Sequence, residues 1–427
     1  MSQSQNAAEV GAAHTLRKRY LKLAVLVIVA GIIYPLIYLR QNFEVSILEA
    51  FDITAKELGQ NYAMLGFIYL ITYVPSGWLA DRVSPRVLMS FSLFMAGGLG
   101  VWFASFPSAD ALMVIFAGWG IAAGLTFWSA LIKATTLLAE PQEQGRFFGI
   151  LDGGRGLIEA ALASIAVGIF AYYTNSIGQD TTEALHKVIW LYVGMMLLFA
   201  PISYFILDDP EPSANNGDIN KADRNWVSDL VSIAKQEKIW LCAICILTGY
   251  QLFWATYSFS AYMQNFYGLT AVTVASITVA KLWMRPIGAA AAGFAGDFLN
   301  REYVLSGLLV LSSIALAGLV SLPAGAGTAV LLGIVLVIGF LTYAVRGIFW
   351  STLESCKVSN NIKGLAIGLI SLVGYSPDMY LPLASGYLFE VYPGKSGYAI
   401  YFGGIAGMGL IGAFAALRLR YLVHAGK

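Results

Sequence analysis

Apolar residues run through this chain in long blocks, and charged residues gather in the gaps between them. A helix needs about 20 largely apolar residues to cross the hydrocarbon core of a bilayer. Twelve blocks meet that need, near residues 21–47, 59–80, 86–106, 110–137, 147–173, 188–207, 239–263, 270–295, 302–322, 327–353, 364–390 and 397–417. The pattern therefore predicts an all-α membrane protein of twelve spans. Most connectors are short and built from turn formers, as in Phe106-Pro-Ser-Ala-Asp110 and Tyr392-Pro-Gly-Lys-Ser-Gly397. The exception is a polar stretch over 208–238 that begins PEPSANNGD at Pro210. It reads as a cytoplasmic linker with a surface helix over 225–236, between a six-span bundle at 1–207 and a second at 239–427.

Composition agrees with this reading. Of 427 residues, 58% are hydrophobic and 12% charged, about half the charged share of a soluble domain. The net charge of +1 gives no reason to expect a nucleic-acid partner. Charge placement says more than charge total. With the N-terminus inside, the inner segments hold 17 of the 26 basic residues and the outer loops hold three, Lys56, Lys187 and Lys395. That bias puts both termini and the linker in the cytoplasm of a bacterial inner membrane. The remaining six, Arg40, Lys133, Arg155, Lys281, Arg285 and Arg346, fall inside spans.

The two halves echo each other. Gly77-Trp-Leu-Ala-Asp81 closes span 2 and Gly293-Phe-Ala-Gly-Asp297 closes span 8. Phe127-Trp-Ser129 in span 4 returns as Phe349-Trp-Ser351 in span 10, and Gly145-x-x-x-Gly149 returns as Gly364-x-x-x-Gly368. Matches in this order, about half a chain apart, indicate a parallel duplication whose halves enclose a site near the midplane.

Gly77-Trp-Leu-Ala-Asp81-Arg82-Val-Ser-Pro-Arg86 resembles the loop 2–3 motif of the major facilitator superfamily, with Asp297–Arg301 as its weaker repeat. The resemblance implies twelve helices in two pseudo-symmetric six-helix bundles. It also implies a gating role for Gly77, Asp81, Arg82, Arg86, Asp297 and Arg301, which in that family help hold the cytoplasmic side closed. A narrower resemblance, carried by Tyr38-Leu-Arg40-Gln-Asn42-Phe43 and the same loop, is to the organophosphate:phosphate antiporters. Those proteins hold phosphate between arginines on helices 1 and 7. The first carries over to Arg40. Aligning Asp52-Ile-Thr54 with Gly268-Leu-Thr270 sets Thr256 opposite Arg40, and span 7 holds no basic residue, so this chain reads as a diverged branch.

An arginine in a span costs several kcal/mol unless it meets a partner, a ligand or water. Arg40 either faces a ligand or pairs with Glu44 one turn on. Lys281 and Arg285 stand at i and i+4 on span 8, where like charges repel and an anion or carboxylate must compensate. Arg346 lies about as deep in span 10. With the span 7 face Tyr250, Gln251 and Trp254, and with Tyr38 and Asn42 of span 1, these residues form the expected substrate site. The aromatic stripe serves equally as helix packing. Asp152, Arg155 and Glu159 share one face of span 5 and suggest an internal ion network. Under the 219-residue offset of the glycine repeat Glu159 maps onto Asp378, which makes these two carboxylates the candidate proton carriers.

The expected function is secondary transport of a small organic anion (a phosphorylated, sulfonated or carboxylated sugar or acid) by alternating access, coupled to protons or to a counter-anion. The alternative is a proton-coupled exporter of hydrophobic or cationic compounds, which six bases against few acids disfavour. No enzyme is expected. The chain has no phosphate-binding G-x-x-x-x-G-K-[ST]. Its three histidines, His14, His186 and His424, fall outside the predicted spans, and Cys242-Ala-Ile-Cys245 has no companion ligands for a metal. No cofactor is expected, and the working unit is expected to be a monomer in the bilayer.

Overall fold

The computed structural model describes residues 2–139, 143–207, 226–358 and 363–425. Twelve helical spans follow one another: α1 (Arg17–Phe51), α2 (Ala55–Arg82), α3 (Pro85–Ala104), α4 (Ala109–Leu138), α5 (Arg146–Ile177), α6 (Thr181–Ile206), α7 (Glu237–Tyr267), α8 (Ala271–Leu282 continued by Met284–Phe298), α9 (Arg301–Ser321), α10 (Thr328–Ser355), α11 (Lys363–Gly374 continued by Pro377–Val391) and α12 (Lys395–Ala425). Among the described residues, nine of these are long and apolar enough to cross a membrane. The other three are α2, α8 and α11. The linker retains a short helix, Trp226–Ala234, inside the predicted 225–236, and the rest of the linker lies outside the described residues.

Local chemistry sets several helix starts. Thr54 and Glu57 form a capping box at α2: the Thr54 Oγ1 accepts from the Glu57 N–H at 3.2 Å, and the Glu57 carboxylate accepts from the Thr54 N–H at 2.8 Å. Asp180 caps α6 through the Glu183 N–H at 2.8 Å. The α6 helix begins at Thr181, so His186 lies inside it, and its Nε2 accepts from the Trp190 indole at 2.9 Å. Phe205, Phe298 and Phe414 point outward and are largely exposed, as lipid-facing side chains are.

Several spans break near their middles. Turn residues interrupt α1 at Tyr38 and Leu39, and Phe43 beyond them is non-helical, with φ −134° and ψ 34°. The α7 span tightens into a 3₁₀ turn at Thr256–Ser258 and α8 is interrupted at Trp283. The α11 span breaks at Tyr375 and Ser376, before Pro377, whose missing N–H suits the first position of a new helix. Broken spans expose backbone polar groups and are tolerated where protein or a cavity surrounds them.

Twelve alternating spans bring both termini to one face, here the terminal face, and leave the loops at 52–54, 178–180 and 268–270 on the opposite face. In the first half α1 packs on α5 and α6, α2 on α4, and α3 on α6. The second half repeats the plan, with α7 on α11 and α12, α8 on α10, and α9 on α12. The halves meet where α2 lies along the second piece of α11 and where α5 lies along the first piece of α8. Glycines permit the first contact. A Cβ on Gly386 would stand 2.8 Å from the Ala55 carbonyl oxygen, and one on Gly66 would collide with the backbone carbonyl of Asp378. Small residues let membrane helices approach backbone to backbone in this way.

Candidate functional site

An aromatic layer separates the two ends of the space between the halves. Tyr38 of α1 stacks on Tyr257 of α7, with ring centroids 5.2 Å apart and planes 13° from parallel. The Trp254 ring stands edge-on to Tyr38, Tyr62 and Tyr257. The stripe read from span 7 thus packs against the first half across the interface. It also carries polar handles. The Tyr250 hydroxyl and the Trp254 indole N–H both donate to Asp378 Oδ1, at 2.7 and 2.6 Å. The next residue, Gln251, donates to the Tyr380 hydroxyl. The break in α11 turns Asp378 and Tyr380 toward α7.

On the terminal-face side of this layer lies an ion network. Arg285 of α8 crosses to the first half, where its guanidinium donates to Glu159 at 2.8 Å and to Asp152 at 3.1 Å. Gly156 makes room for it, since a Cβ there would stand 2.7 Å from the Arg285 Cδ. Asp152 also pairs with Arg155 at 3.3 Å. The Arg155 guanidinium lies 5.8 Å from the ring of Tyr34 and 5.6 Å from that of Trp128. Although it bridges the halves, the Asp152 side chain keeps 62% of its surface exposed, so the interface is open to solvent at this level. Arg346 of α10 faces the same space, 4.1 Å from the Phe253 ring and 5.9 Å from that of Tyr250. Among the described residues it forms no ion pair. Its charge nevertheless reaches Asp152, Arg155 and Asp378.

Lys281 and Arg285, one turn apart in sequence, do not act as a pair. The interruption at Trp283 sends them to different places. Lys281 is fully buried within its own half, where its Nζ donates to Thr256 Oγ1 at 2.9 Å and its stem packs against Gly339. Arg40 lies beyond the aromatic layer, toward the opposite face. It is buried, its Nη2 donates to Glu44 Oε1 at 2.9 Å, and its guanidinium lies 5.0 Å from the Tyr62 ring. Asn42 is buried beside it. The three cations expected to clamp one ligand therefore occupy three separate environments in this state.

The motif residues at the terminal face have partners. Arg82 stacks 4.1 Å from the Trp78 ring, and Arg86 lies 5.1 Å from that of Tyr204. Arg301 pairs with Glu354. Gly77 has open space where a Cβ would project. The side chains of Asp81 and Asp297 lie outside the described residues. Lys133, expected near the inner end of its span, donates to the Ala80 carbonyl at 2.5 Å.

Arg155, expected in an internal network with Asp152 and Glu159, pairs with Asp152 there and also lies against Tyr34 and Trp128. Sequence reasoning missed Tyr380 of this site. Tyr380 carried no signal beyond its position two residues after Asp378, on a helix whose break at Tyr375 and Ser376 hydropathy does not reveal.

Comparison with known proteins gives one consistent picture. The profile described as Major Facilitator Superfamily matches residues 23–382. The inner membrane protein YihN of Escherichia coli is 27% identical over 94% of this chain and 96% of its own length. The D-galactonate transporter of Escherichia coli is 23% identical over 96% of this chain and 97% of its own. The hexuronate transporter of Bacillus subtilis is 23% identical over 83% of this chain and 84% of its own. Among solved structures, a bacterial homologue of the lysosomal transporter Spinster, inward-facing and unoccupied, superposes with a TM-score of 0.71 at 14% identity, covering 95% of this chain and 97% of that one.

Proposed function

This chain belongs to the major facilitator superfamily, and from that membership we propose that it moves a small hydroxylated organic acid across the membrane by alternating access between its halves. It is a transporter and not an enzyme. The observation that carries the choice of cargo is Arg346, a cation in the open interface with no ion-pair partner among the described residues. Around it Arg155 and Arg285 are held by Asp152 and Glu159, and Arg346 is left with no ion-pair partner among the described residues. An anionic cargo would supply one, and Tyr34, Tyr250 and Tyr257 offer hydroxyls to a polyol chain. A carboxylate is favoured over a phosphate. The helix 7 arginine of the organophosphate antiporters is replaced by Thr256, and the relatives aligned over most of the chain include transporters named for sugar acids.

The test is a binding panel on the purified protein, with D-gluconate, D-glucuronate, glycerol-3-phosphate and neutral glucose. Stabilisation by the two carboxylates with none by glucose is the expected result. A protein that responds only to neutral or cationic compounds would promote the exporter reading.

We also propose that the terminal face is cytoplasmic and that the linker at 208–238 joins the two bundles there, on the strength of the basic bias of its loops. Single cysteines at positions between 215 and 225 are expected to resist a membrane-impermeant maleimide added to intact cells and to react after permeabilisation. Labelling from outside would invert the topology.

A further inference from the structure

A cavity of about 300 Å³ lies between the halves, on the far side of the aromatic layer from Arg346. Phe266 at the end of α7 and Phe389 at the end of α11 wall it, and Glu44, Asn265 and Tyr398 line it as well. Asn265 is exposed, and so are Pro393 and Gly394 in the loop from α11 to α12, so the cavity reaches the opposite face. Its polar groups have capacity to spare. Glu44 is buried and gives one carboxylate oxygen to Arg40, but its Oε2 has no hydrogen-bond partner. Buried acceptors are normally satisfied, because an unmet one costs folding free energy. The Tyr398 hydroxyl accepts from the Asn265 amide at 3.3 Å and keeps its own proton to donate. Lys395 stands at the rim, one residue after Gly394, with its ammonium 5.1 Å from the Phe266 ring. It donates to the Leu322 carbonyl at 2.8 Å and forms no ion pair among the described residues. The neighbouring cations are matched, Arg40 by Glu44 and Lys56 by Glu390 at 3.8 Å.

We propose that this cavity is a reception site for the cargo at the opposite face, with the carboxylate on Lys395 and the hydroxyl chain against Glu44, Asn265 and Tyr398. The proposal rests on the reading of the cargo as a hydroxylated organic acid. The lining selects that class. An ammonium without an ion pair calls for an anion, an unmet carboxylate oxygen calls for a hydroxyl donor, and the two phenylalanine faces suit a carbon skeleton. A small inorganic anion would leave Glu44 unmet, and an organic cation would meet Lys395. The volume is at the low end of small-molecule sites. Position gives the site its role. Glu44 belongs to the first half and Phe266, Asn265, Phe389 and Tyr398 to the second, so a cargo seated here lies on the seam that has to open. The aromatic layer then separates it from Arg346. The site governs how the acid arrives from the opposite face, and Arg346 governs how tightly it is finally held.

The experiment follows entry of labelled D-gluconate into membrane vesicles of each orientation, for the parent, Lys395→Gln, Lys395→Arg and Asn265→Leu, beside calorimetric binding to each purified protein. Both positions are on the rim, and a cooperative melt checks that each variant folds. Lys395→Gln is expected to raise KM for entry from the opposite face about tenfold, the low end for a bond to a charged group because the lysine is only half-buried. Entry from the terminal face and equilibrium binding are expected to stay at the parent's values, which a merely structural lysine would not arrange. Lys395→Arg is expected to restore KM, and Asn265→Leu to raise it in the same direction of entry alone. If KM is unchanged in both Lys395→Gln and Asn265→Leu, or rises alike for both directions, the reception site is overturned and the cargo reading stands. A parent that neither binds nor takes up D-gluconate or D-glucuronate overturns both.

Discussion

Arg346→Ala should weaken binding of the acid substrate by roughly 10- to 150-fold while leaving expression and melting near those of the parent. The size follows from the bond lost: a hydrogen bond to a charged group contributes about 1.5–3 kcal/mol. The cleanness follows from what Arg346 lacks. No carboxylate among the described residues is ion-paired to it, so its removal breaks no ion pair. Arg285→Ala is the instructive contrast. It would leave Glu159 and Asp152 without their cross-interface cation, a loss smaller than the ~3–5 kcal/mol of a fully buried pair because Asp152 is exposed. A loss of binding there would confound recognition with folding. Arg346→Lys keeps the charge but not the planar fork, so an intermediate loss is expected. Calorimetric titration with D-gluconate decides the matter. If Arg346→Ala binds as tightly as the parent, Arg346 is not the anchor and the anion sits elsewhere.

The length and number of the spans were readable in advance because hydrocarbon thickness fixes them, and the order of the motifs disclosed the duplication. The breaks inside the spans were not readable. Hydropathy averages over a window longer than the interruption at Trp283, so α8 read as one helix and Lys281 and Arg285 as one cationic face. The interruption parts them, one into its own half against Gly339 and the other across to Gly156. Pairing across the interface was equally hidden. Arg285 and Glu159 are 126 positions apart, and no local rule links them. The i to i+4 contact of Arg40 with Glu44 belongs to the opposite case: it is a local rule of helices, it was open to the sequence as one of two readings, and the structure realises it. The end of α12 was read short, at 417 rather than Ala425, because the arginines at 418 and 420 look like a boundary to hydropathy, although the helix continues past them.

Asp378→Asn should keep substrate counterflow but lose proton-driven accumulation, whereas Glu159→Gln should lose both. The two carboxylates map onto each other in the sequence repeat, but their surroundings differ. Glu159 holds Arg285 across the interface, so it is one end of a tie between the halves. Neutralising it leaves that arginine only the exposed Asp152 and disturbs the network that both halves share. Asp378 makes no ion pair among the described residues. It receives two neutral donors, Tyr250 and Trp254, both from its own half and both on one oxygen. A buried carboxyl held by neutral donors can gain or lose a proton without breaking a salt bridge, which suits a group that cycles with transport. Asparagine keeps an acceptor oxygen for those two donors, so the aromatic layer and the exchange of substrate across it should persist. The magnitude is set by the gradient. One proton moving down one pH unit delivers about 1.4 kcal/mol, enough for roughly tenfold accumulation, and the variant should fall to no accumulation at all. The measurement is uptake of labelled gluconate into proteoliposomes under an imposed pH gradient, beside counterflow with no gradient. Full proton-driven uptake by Asp378→Asn would make Asp378 a structural residue and move the search for the proton site to other buried groups.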